Sequence, residues 1–375
     1  MKRVLKLSCL ILYTFALSAC ASGAPVMSTG VSTDGRYVIT AHSGGGLYLW
    51  DIQKKEKKRL AKNAYSYSAY FIPDSHEFMW QDDNDIVHIQ DVNGKEVKSF
   101  KHFKTEGQLM TADKSFYLSA DTWGKLYKGY GDNLTPIYTD APIGPSQPYS
   151  LSIVGNYILS SGNGYTPNEK AAETNLTANP INPDVHKKDN YRGVTLWDKT
   201  TLKPIARLYG NSGRTTGRIS PDGKWVVTGS DNRGNFMWSI QNPNLRLGIA
   251  RINDGIYDNK IKGYDKSKLL PVPEKFQEIQ AAGLFNVLAV AFLTDKDFIL
   301  FDRNAKDRIH PIYTTGDVWI QGYVDLGKRK SISQSNLSIG SSPKAHILVI
   351  SQGSGIAVYR YHPETKELEK IWVAD

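Results

Sequence analysis

The chain has 375 residues, 40% of them hydrophobic, and a formal net charge of +9. Its only cysteines, Cys9 and Cys20, lie within the first twenty residues. The remainder of the chain therefore has no disulfide, no thiolate metal site and no cysteine nucleophile. Setting aside the three basic residues at the N-terminus lowers the charge to +6, too mild an excess over so long a chain to indicate nucleic-acid binding.

The N-terminal segment has the three-part layout of an export signal. A basic head precedes Leu7 to Leu17, an uncharged and mostly apolar run, and small residues follow it. The run is shorter than the roughly 20 apolar residues that a permanent membrane-spanning helix needs. We therefore predict a signal peptide over 1–19, a short tether over 20–25 and a folded domain over 26–375.

The end of this segment, Leu17-Ser18-Ala19-Cys20, resembles the lipobox of bacterial lipoproteins. The resemblance implies that Cys20 is diacylated on its sulfur, becomes the new N-terminus and is then N-acylated. Ala21 rather than an acidic residue follows it, which in Gram-negative lipoproteins resembles the default sorting to the outer membrane, facing the periplasm. The alternative is an ordinary cleavable signal, cut near Ala21 or Gly23.

The rest of the sequence is organised by a repeat. The segment from Ser32 to Tyr37, Ser-Thr-Asp-Gly-Arg-Tyr, recurs from Ser220 to Trp225 as Ser-Pro-Asp-Gly-Lys-Trp. Sixteen residues lead from Asp34 to Trp50, and sixteen lead from Asp222 to Trp238. The segments between have period-two alternation, which predicts strands, while Gly and Asp supply the turns.

The second β-run of each unit can be aligned, which gives a count. Seven runs fall in equivalent places: Leu49-Trp50-Asp51, Ile89-Gln90-Asp91, Leu126-Tyr127-Lys128, Leu196-Trp197-Asp198, Met237-Trp238-Ser239, Leu300-Phe301-Asp302 and Val358-Tyr359-Arg360. Each unit has about four strands, and units without insertions are about 40 residues long, the period of a propeller blade. The sequence therefore predicts an all-β fold, a seven-bladed β-propeller filling residues 26–375.

These units resemble the WD40-like propellers of bacterial envelope proteins. Trp50-Asp51 and Trp197-Asp198 match the closing dipeptide of that family. No unit carries the family's Gly-His pair in front of its inner strand, so the family's His-centred hydrogen-bond network is not predicted. Trp50, Trp197 and Trp238 are expected to pack as wedges between neighbouring blades, because an apolar ring system with one N–H suits burial between sheets.

Three insertions interrupt the repeat, near 162–192, 251–280 and 323–334. In a blade, strands A to D run outward from the axis, and the B–C and D–A connections share one face. All three insertions occupy such connections, which favours a binding surface on that face. For the loop Gly162–Arg192, function and disorder both stay open. Its aromatic and basic residues suit contact with a partner, and the candidates are Tyr165, Lys187, Lys188, Tyr191 and Arg192.

Little in the sequence indicates catalysis. None of the eight histidines has the His-x-x-x-His or His-x-His spacing of a preorganised metal site. The glycine run at Ser43–Gly46 lacks the following Lys-Ser/Thr and helix that a phosphate cradle needs. We therefore predict no catalytic residue, metal or cofactor, while an acidic pair formed by convergence of blades at the axis stays an open alternative.

Two functional classes remain. The first is a non-enzymatic, lipid-held scaffold that presents one loop-rich face to other envelope proteins, for example in a secretion or assembly complex. The second is a propeller enzyme, or a binder of a small molecule or glycan, that uses the central channel. The basic cluster Lys54–Arg59, followed by Lys62, is interpreted either as a solvated edge or as a contact for anionic lipid headgroups.

Overall fold

The computed structural model describes residues 23–121, 125–137, 150–164, 179–180, 194–208, 213–230, 235–242, 246–249, 287–302, 309–316, 320–325 and 338–375. Over these residues the chain forms thirty β-strands in seven antiparallel sheets and one 3-10 turn, Gly131–Asn133. The sheets are the blades of a ring. The predicted seven-bladed all-β fold is confirmed.

Each blade is built from consecutive strands, with strand A nearest the axis and strand D at the rim. Blade 1 contains β1 (Val26–Val31), β2 (Tyr37–His42), β3 (Leu47–Asp51) and β4 (Glu56–Ala61). Blade 2 contains β5 (Tyr70–Phe71), β6 (Glu77–Gln81), β7 (Ile86–Asp91) and β8 (Glu96–Lys101). Blade 3 contains β9 (Thr105–Met110), β10 (Tyr117–Asp121), β11 (Leu126–Lys128) and β12 (Thr135–Pro136).

Blades 4 and 5 each gain a fifth, two-residue strand from the first insertion. Blade 4 contains β13 (Ser150–Val154), β14 (Tyr157–Ser161), β17 (Val194–Asp198) and β18 (Pro204–Leu208), with β16 (Asn179–Pro180) outside β18. Blade 5 contains β19 (Gly213–Ile219), β20 (Trp225–Ser230), β21 (Phe236–Ser239) and β22 (Arg246–Gly248), with β15 (Asn163–Gly164) inside β19.

The last two blades again have four strands each. Blade 6 contains β23 (Val287–Phe292), β24 (Asp297–Asp302), β25 (Ile309–Thr314) and β26 (Ile320–Asp325). Blade 7 contains β27 (Ile339–Ser342), β28 (Ile347–Gln352), β29 (Gly355–His362) and β30 (Glu367–Ala374).

The repeated aspartates shape the A–B turns. In blade 1 the Ser32 hydroxyl donates to Asp34 Oδ1 at 2.6 Å, and the Arg36 backbone N–H donates to the same atom at 3.1 Å. Gly35 has a φ of +69°, a conformation that a side chain would strain. Ser220 and Asp222 repeat this bond in blade 5, also at 2.6 Å. Asp34 and Asp222 thus stabilise the turns that connect strand A to strand B.

Tryptophans on three C strands fill the spaces between blades. Trp50 is fully buried in a cluster that joins blade 1 to Val349 and Val358 of blade 7. Trp197 lies between blades 3 and 4, and Trp238 lies between blades 4 and 5. Each indole N–H donates to a hydroxyl on strand B of its own blade, the acceptors being Thr40, Ser160 and Thr228. Burial therefore leaves none of these three indole N–H groups unpaired.

The ring closes without an exchange of strands between the chain ends. All four described strands of blade 1 come from the first 61 residues, and those of blade 7 come from residues 339–374. The Val26 N–H donates to the Gly353 carbonyl at 2.8 Å. Trp50 meets Trp372 edge-on, with ring centroids 6.0 Å apart. Side-chain packing reinforced by this backbone bond holds the first and last blades together.

Blade 6 corrects the sequence alignment. Leu300-Phe301-Asp302, aligned there with the C strands, lies on β24, which is strand B. The apolar run ending in Asp resembled a closing dipeptide, but strand A of this blade starts only at Val287, so every later strand shifts along the chain. The third insertion was consequently placed too early, because Tyr323 to Asp325 belong to β26.

A histidine in blade 3 supplies part of a hydrogen-bond network that the sequence did not predict. His102 precedes inner strand β9, where the family's Gly-His pair would lie, although Lys101 stands in the glycine position. Its Nε2 pairs with the Ser119 hydroxyl at 2.9 Å. The side chain is 6% exposed, and burial lowers the pKa of His102 to about 4.

This burial predicts acid sensitivity. The unfolded chain takes up a proton on His102 near pH 6.5, whereas the folded chain does so only near pH 4. The contribution of His102 to the free energy of unfolding is therefore complete above pH 6.5 and is lost as the pH falls from 6.5 to 4. The loss from this group is roughly 3 kcal/mol. Urea unfolding of His102→Gln should show a smaller decline between these pH values; an unchanged decline would contradict the assignment.

Candidate functional site

The first insertion leaves from the face that carries the B–C and D–A connections, here called the insertion face. Its β15 pairs with the first residues of β19, on the axial side of blade 5. Gly162 and Thr215 fix this start, since the Thr215 N–H donates to the Gly162 carbonyl at 2.8 Å. Its β16 pairs with β18 at the rim of blade 4. The insertion is therefore anchored at both the axis and the rim.

The predicted partner-binding residues of this insertion lie outside the described residues; they are Tyr165, Lys187, Lys188, Tyr191 and Arg192. Cys20, the segment 1–22 and the second insertion, 251–280, also lie outside them, as does 326–334 of the third. The structural repeat residues Asp34, Trp50, Trp197, Asp222 and Trp238 are all described, and they lie in turns or between blades.

A second element of the insertion face was not predicted. The D–A connections after blades 1 and 2, together with Glu106 on β9, form an aromatic and charged group, the ledge, consisting of Tyr65, Tyr67, Phe103, Lys104 and Glu106. The Tyr65 hydroxyl donates to Glu106 Oε1 at 2.8 Å. The Lys104 ammonium lies 4.4 Å from the centre of the Tyr65 ring, a cation–π contact. Tyr67 packs edge-on against Tyr65 and is 43% exposed.

Buried polar side chains hold the ledge in place. Ser68 donates its hydroxyl to the Tyr65 carbonyl at 2.7 Å, and the Gln108 side-chain amide donates to the Ser68 carbonyl at 2.8 Å. The Gln81 side chain bonds both the Phe103 carbonyl and the Thr105 N–H. Because Gln81 lies on β6 of blade 2 and Gln108 lies on β9 of blade 3, the ledge is fixed before a partner arrives, which lowers the entropy cost of binding.

The tyrosines of the ledge stay protonated at neutral pH. Burial, followed by the hydrogen bond to Glu106, raises the pKa of Tyr65, and burial and the Glu106 charge raise the pKa of Tyr67. Tyr67 therefore presents a neutral hydroxyl and an exposed ring, beside the Lys104 ammonium. This combination of aromatic surface, hydrogen-bonding group and charge is typical of protein–protein interfaces.

The described part of the central channel has a different character. Tyr70 of blade 2 packs against the cluster that contains Leu151 of blade 4, and it interacts electrostatically with Arg218 of blade 5. The Arg218 guanidinium donates to the Leu151 carbonyl at 3.2 Å. Burial lowers the pKa of Arg218 and raises that of Tyr70. Side chains from three blades therefore meet across the axis.

Among the described residues, neither the requirements of a three-ligand metal site nor those of a membrane-spanning helix are met. Within the described ranges, no three His, Cys, Asp or Glu side chains lie close enough together to hold a metal ion. The same part of the chain has no helix of the length and apolarity that crossing a membrane requires.

Comparisons with other proteins bear on the fold. No protein-family model matches the chain, and no curated protein matches it. A solved structure described as "Crystal Structure of Mitotic Checkpoint Complex" is similar, with a TM-score of 0.58 and 13% identity over 87% of this chain and 83% of the other. The fold is a WD40-like β-propeller.

A second solved structure, "Kluyveromyces lactis Hsv2 complete loop 6CD", matches with a TM-score of 0.53 and 9% identity. The match covers 94% of this chain and 99% of the other. Identities this low show a shared architecture alone, so the function of the present propeller has to be argued from its own residues.

Proposed function

We propose that this protein is a lipid-anchored scaffold of the bacterial cell envelope, whose insertion face binds other envelope proteins. The observation that carries the proposal is the ledge, a fixed aromatic and charged surface with Tyr67 43% exposed. It shares its face with the anchored ends of the first insertion. A propeller offers such a face on a rigid support, which suits the assembly of several proteins.

The position of the N-terminal chain supports the anchoring part of the proposal. The Ala24 carbonyl bonds the His42 ring at 2.8 Å, and the Pro25 carbonyl accepts from the Ser43 N–H at 3.0 Å. Residues 24 and 25 are thereby held beside the B–C turn of blade 1. A lipid on Cys20 would tether the propeller from the insertion face, at the outer membrane facing the periplasm if the cell is Gram-negative.

The alternative, an enzyme or a ligand binder acting in the channel, lacks a comparable observation. Among the described residues, the groups that meet across the axis are the Tyr70 phenol, the apolar cluster that contains Leu151 and the Arg218 guanidinium. Within this part of the chain, Arg218 interacts with backbone carbonyls and Tyr70, which do not form an arrangement specific to catalysis. The interaction surface is the better supported site.

Shortening the first insertion tests whether partners bind at the insertion face. Replacing Thr166–Asn190 with a short Gly-Ser bridge keeps β15 and removes the two-residue β16, so the thermal melt should change little. Crosslinking of envelope proteins to a photoreactive residue at position 67 should fall to background. The matched control, Glu364-Thr365→Gly-Ser in the C–D turn of blade 7, should crosslink like the parent. Full crosslinking by the shortened protein would make the insertion a passive one.

A further inference from the structure

One edge of the propeller carries a concentration of positive charge. The turn before β4, the strand itself and the residue after it contribute six basic side chains, all exposed, here called the basic rim: Lys54, Lys55, Lys57, Lys58, Arg59 and Lys62. Glu56 is the only acidic residue from position 53 to position 62. The strand lies at the outer edge of blade 1, so these side chains are exposed at the rim of the propeller.

Only part of this charge is used within the fold. The Lys57 ammonium lies 4.5 Å from the centres of the Tyr48 and Trp50 rings and donates to the Asp375 carbonyl. Lys54 acts electrostatically on Asp51. In contrast, no ion pair within the described ranges involves Lys55, Lys58 or Lys62. The stability of the fold therefore does not account for these three cations.

The neighbouring edges show that the charge is directional. On the blade 2 side, β8 carries Lys98 and Lys101 together with the exposed Glu96. On the blade 7 side the exposed outer edge is mixed, with Glu364, Glu367 and Glu369 beside Lys370. An anionic surface would thus attract the rim of blade 1 more strongly than either neighbouring edge.

The same blade holds the start of the described chain. Ala24 is bound to His42 of blade 1, and only three residues separate it from Cys20. A fully extended chain spans at most about 14 Å between these two positions. A lipid on Cys20 would accordingly keep blade 1 within a short distance of the bilayer, where the attraction between basic side chains and acidic lipid is felt.

We propose that the basic rim rests on an anionic phospholipid surface and orients the propeller there. This inference rests on the proposed lipid anchor for its biological setting. The lipid supplies attachment and the rim supplies a second, electrostatic contact, the combination that stable anchoring by acyl chains commonly requires. With blade 1 against the bilayer, the insertion face is turned sideways and stays accessible to partners.

Vesicle binding tests the inference without the lipid. Full-length Cys20→Ala protein is mixed with phosphatidylglycerol-containing or pure phosphatidylcholine vesicles, and the bound fraction is measured by sedimentation at low and high salt. The rim variant carries Lys54, Lys55, Lys58 and Lys62 changed to Gln. The control variant has the same net charge through Lys203, Lys224, Lys296 and Lys370 changed to Gln, exposed residues on blades 4 to 7.

We expect the parent and control proteins to bind the phosphatidylglycerol vesicles, and the rim variant to bind at least about tenfold more weakly. High salt should remove the difference. Equal binding by the rim and control variants, or equal binding of the parent to both vesicle types, would overturn the inference. A rim variant that binds vesicles normally but loses a crosslinked partner would also overturn it and assign the rim to an acidic protein.

The experiments distinguish failure of the proposed lipid anchor from failure of the proposed rim contact. Because the protein used here has no acyl chain, its vesicle binding is independent of the modification of Cys20. A failed anchor would instead appear as membrane retention of the Cys20→Ala protein in cells after a high-salt wash, with the charge dependence of vesicle binding intact.

Discussion

Replacing Trp50 with alanine is expected to lower the free energy of unfolding by about 3–5 kcal/mol. The side chain is fully buried and packs against both blade 1 and blade 7, where no exchanged strand closes the ring. The substitution leaves a cavity at that junction, and the Thr40 hydroxyl loses its indole partner. The junction between the first and last blades is therefore the place where one truncation does most damage.

Chemical denaturation followed by fluorescence or circular dichroism measures this effect. Trp50→Phe should lie between the parent and Trp50→Ala, because a ring still fills most of the space while the N–H donor is lost. Tyr67→Ala is the matched control for loss of an aromatic ring at an exposed position, and it should change stability by less than about 1 kcal/mol. Equal effects of Trp50→Ala and Tyr67→Ala would contradict the packing role.

Replacing Cys20 with alanine is expected to move the protein out of the membrane fraction, or to stall the precursor with its signal attached. The prediction follows from the resemblance of Leu17-Ser18-Ala19-Cys20 to a lipobox, in which the cysteine sulfur would accept the lipid. The folded domain should be unaffected, since the described propeller begins after this position.

Cell fractionation with a high-salt wash gives the result, since salt removes proteins held by charge alone. Cys9→Ala is the matched control: it changes a cysteine within the predicted signal and should leave the protein in the membrane fraction. A cleaved Cys20→Ala protein that is fully retained after the wash would show that attachment does not depend on this residue.

The fold could be predicted from local patterns because the blades repeat similar turns and alternating strands. The Ser-x-Asp-Gly turns form from neighbouring residues, and Asp34 makes its turn bonds within two positions along the chain. Blade 6 was misaligned because its strand C, β25, carries Pro311 and no tryptophan, while the apolar β24 offered a better match. Only the pairing of β24 between β23 and β25 reveals its place.

The ledge could not be predicted for a different reason. Tyr65 and Tyr67 alternate with serines, a pattern that fits a strand as well as a loop. Their significance comes from Glu106, 41 positions away in sequence from Tyr65, and from Lys104. The channel residues Tyr70 and Arg218 are still further apart in sequence. Contacts between blades depend on the closed ring, which no local pattern specifies.

Photo-crosslinking from the two faces of the propeller in intact cells tests the central claim most directly. One protein carries the photoreactive residue at Tyr67 on the insertion face, and the other carries it at Asn93, exposed in the C–D turn of blade 2 on the opposite face. We predict discrete adducts with other envelope proteins from position 67 and none from position 93. Adducts from position 93 alone, or from neither position, would contradict a scaffold that binds through its insertion face.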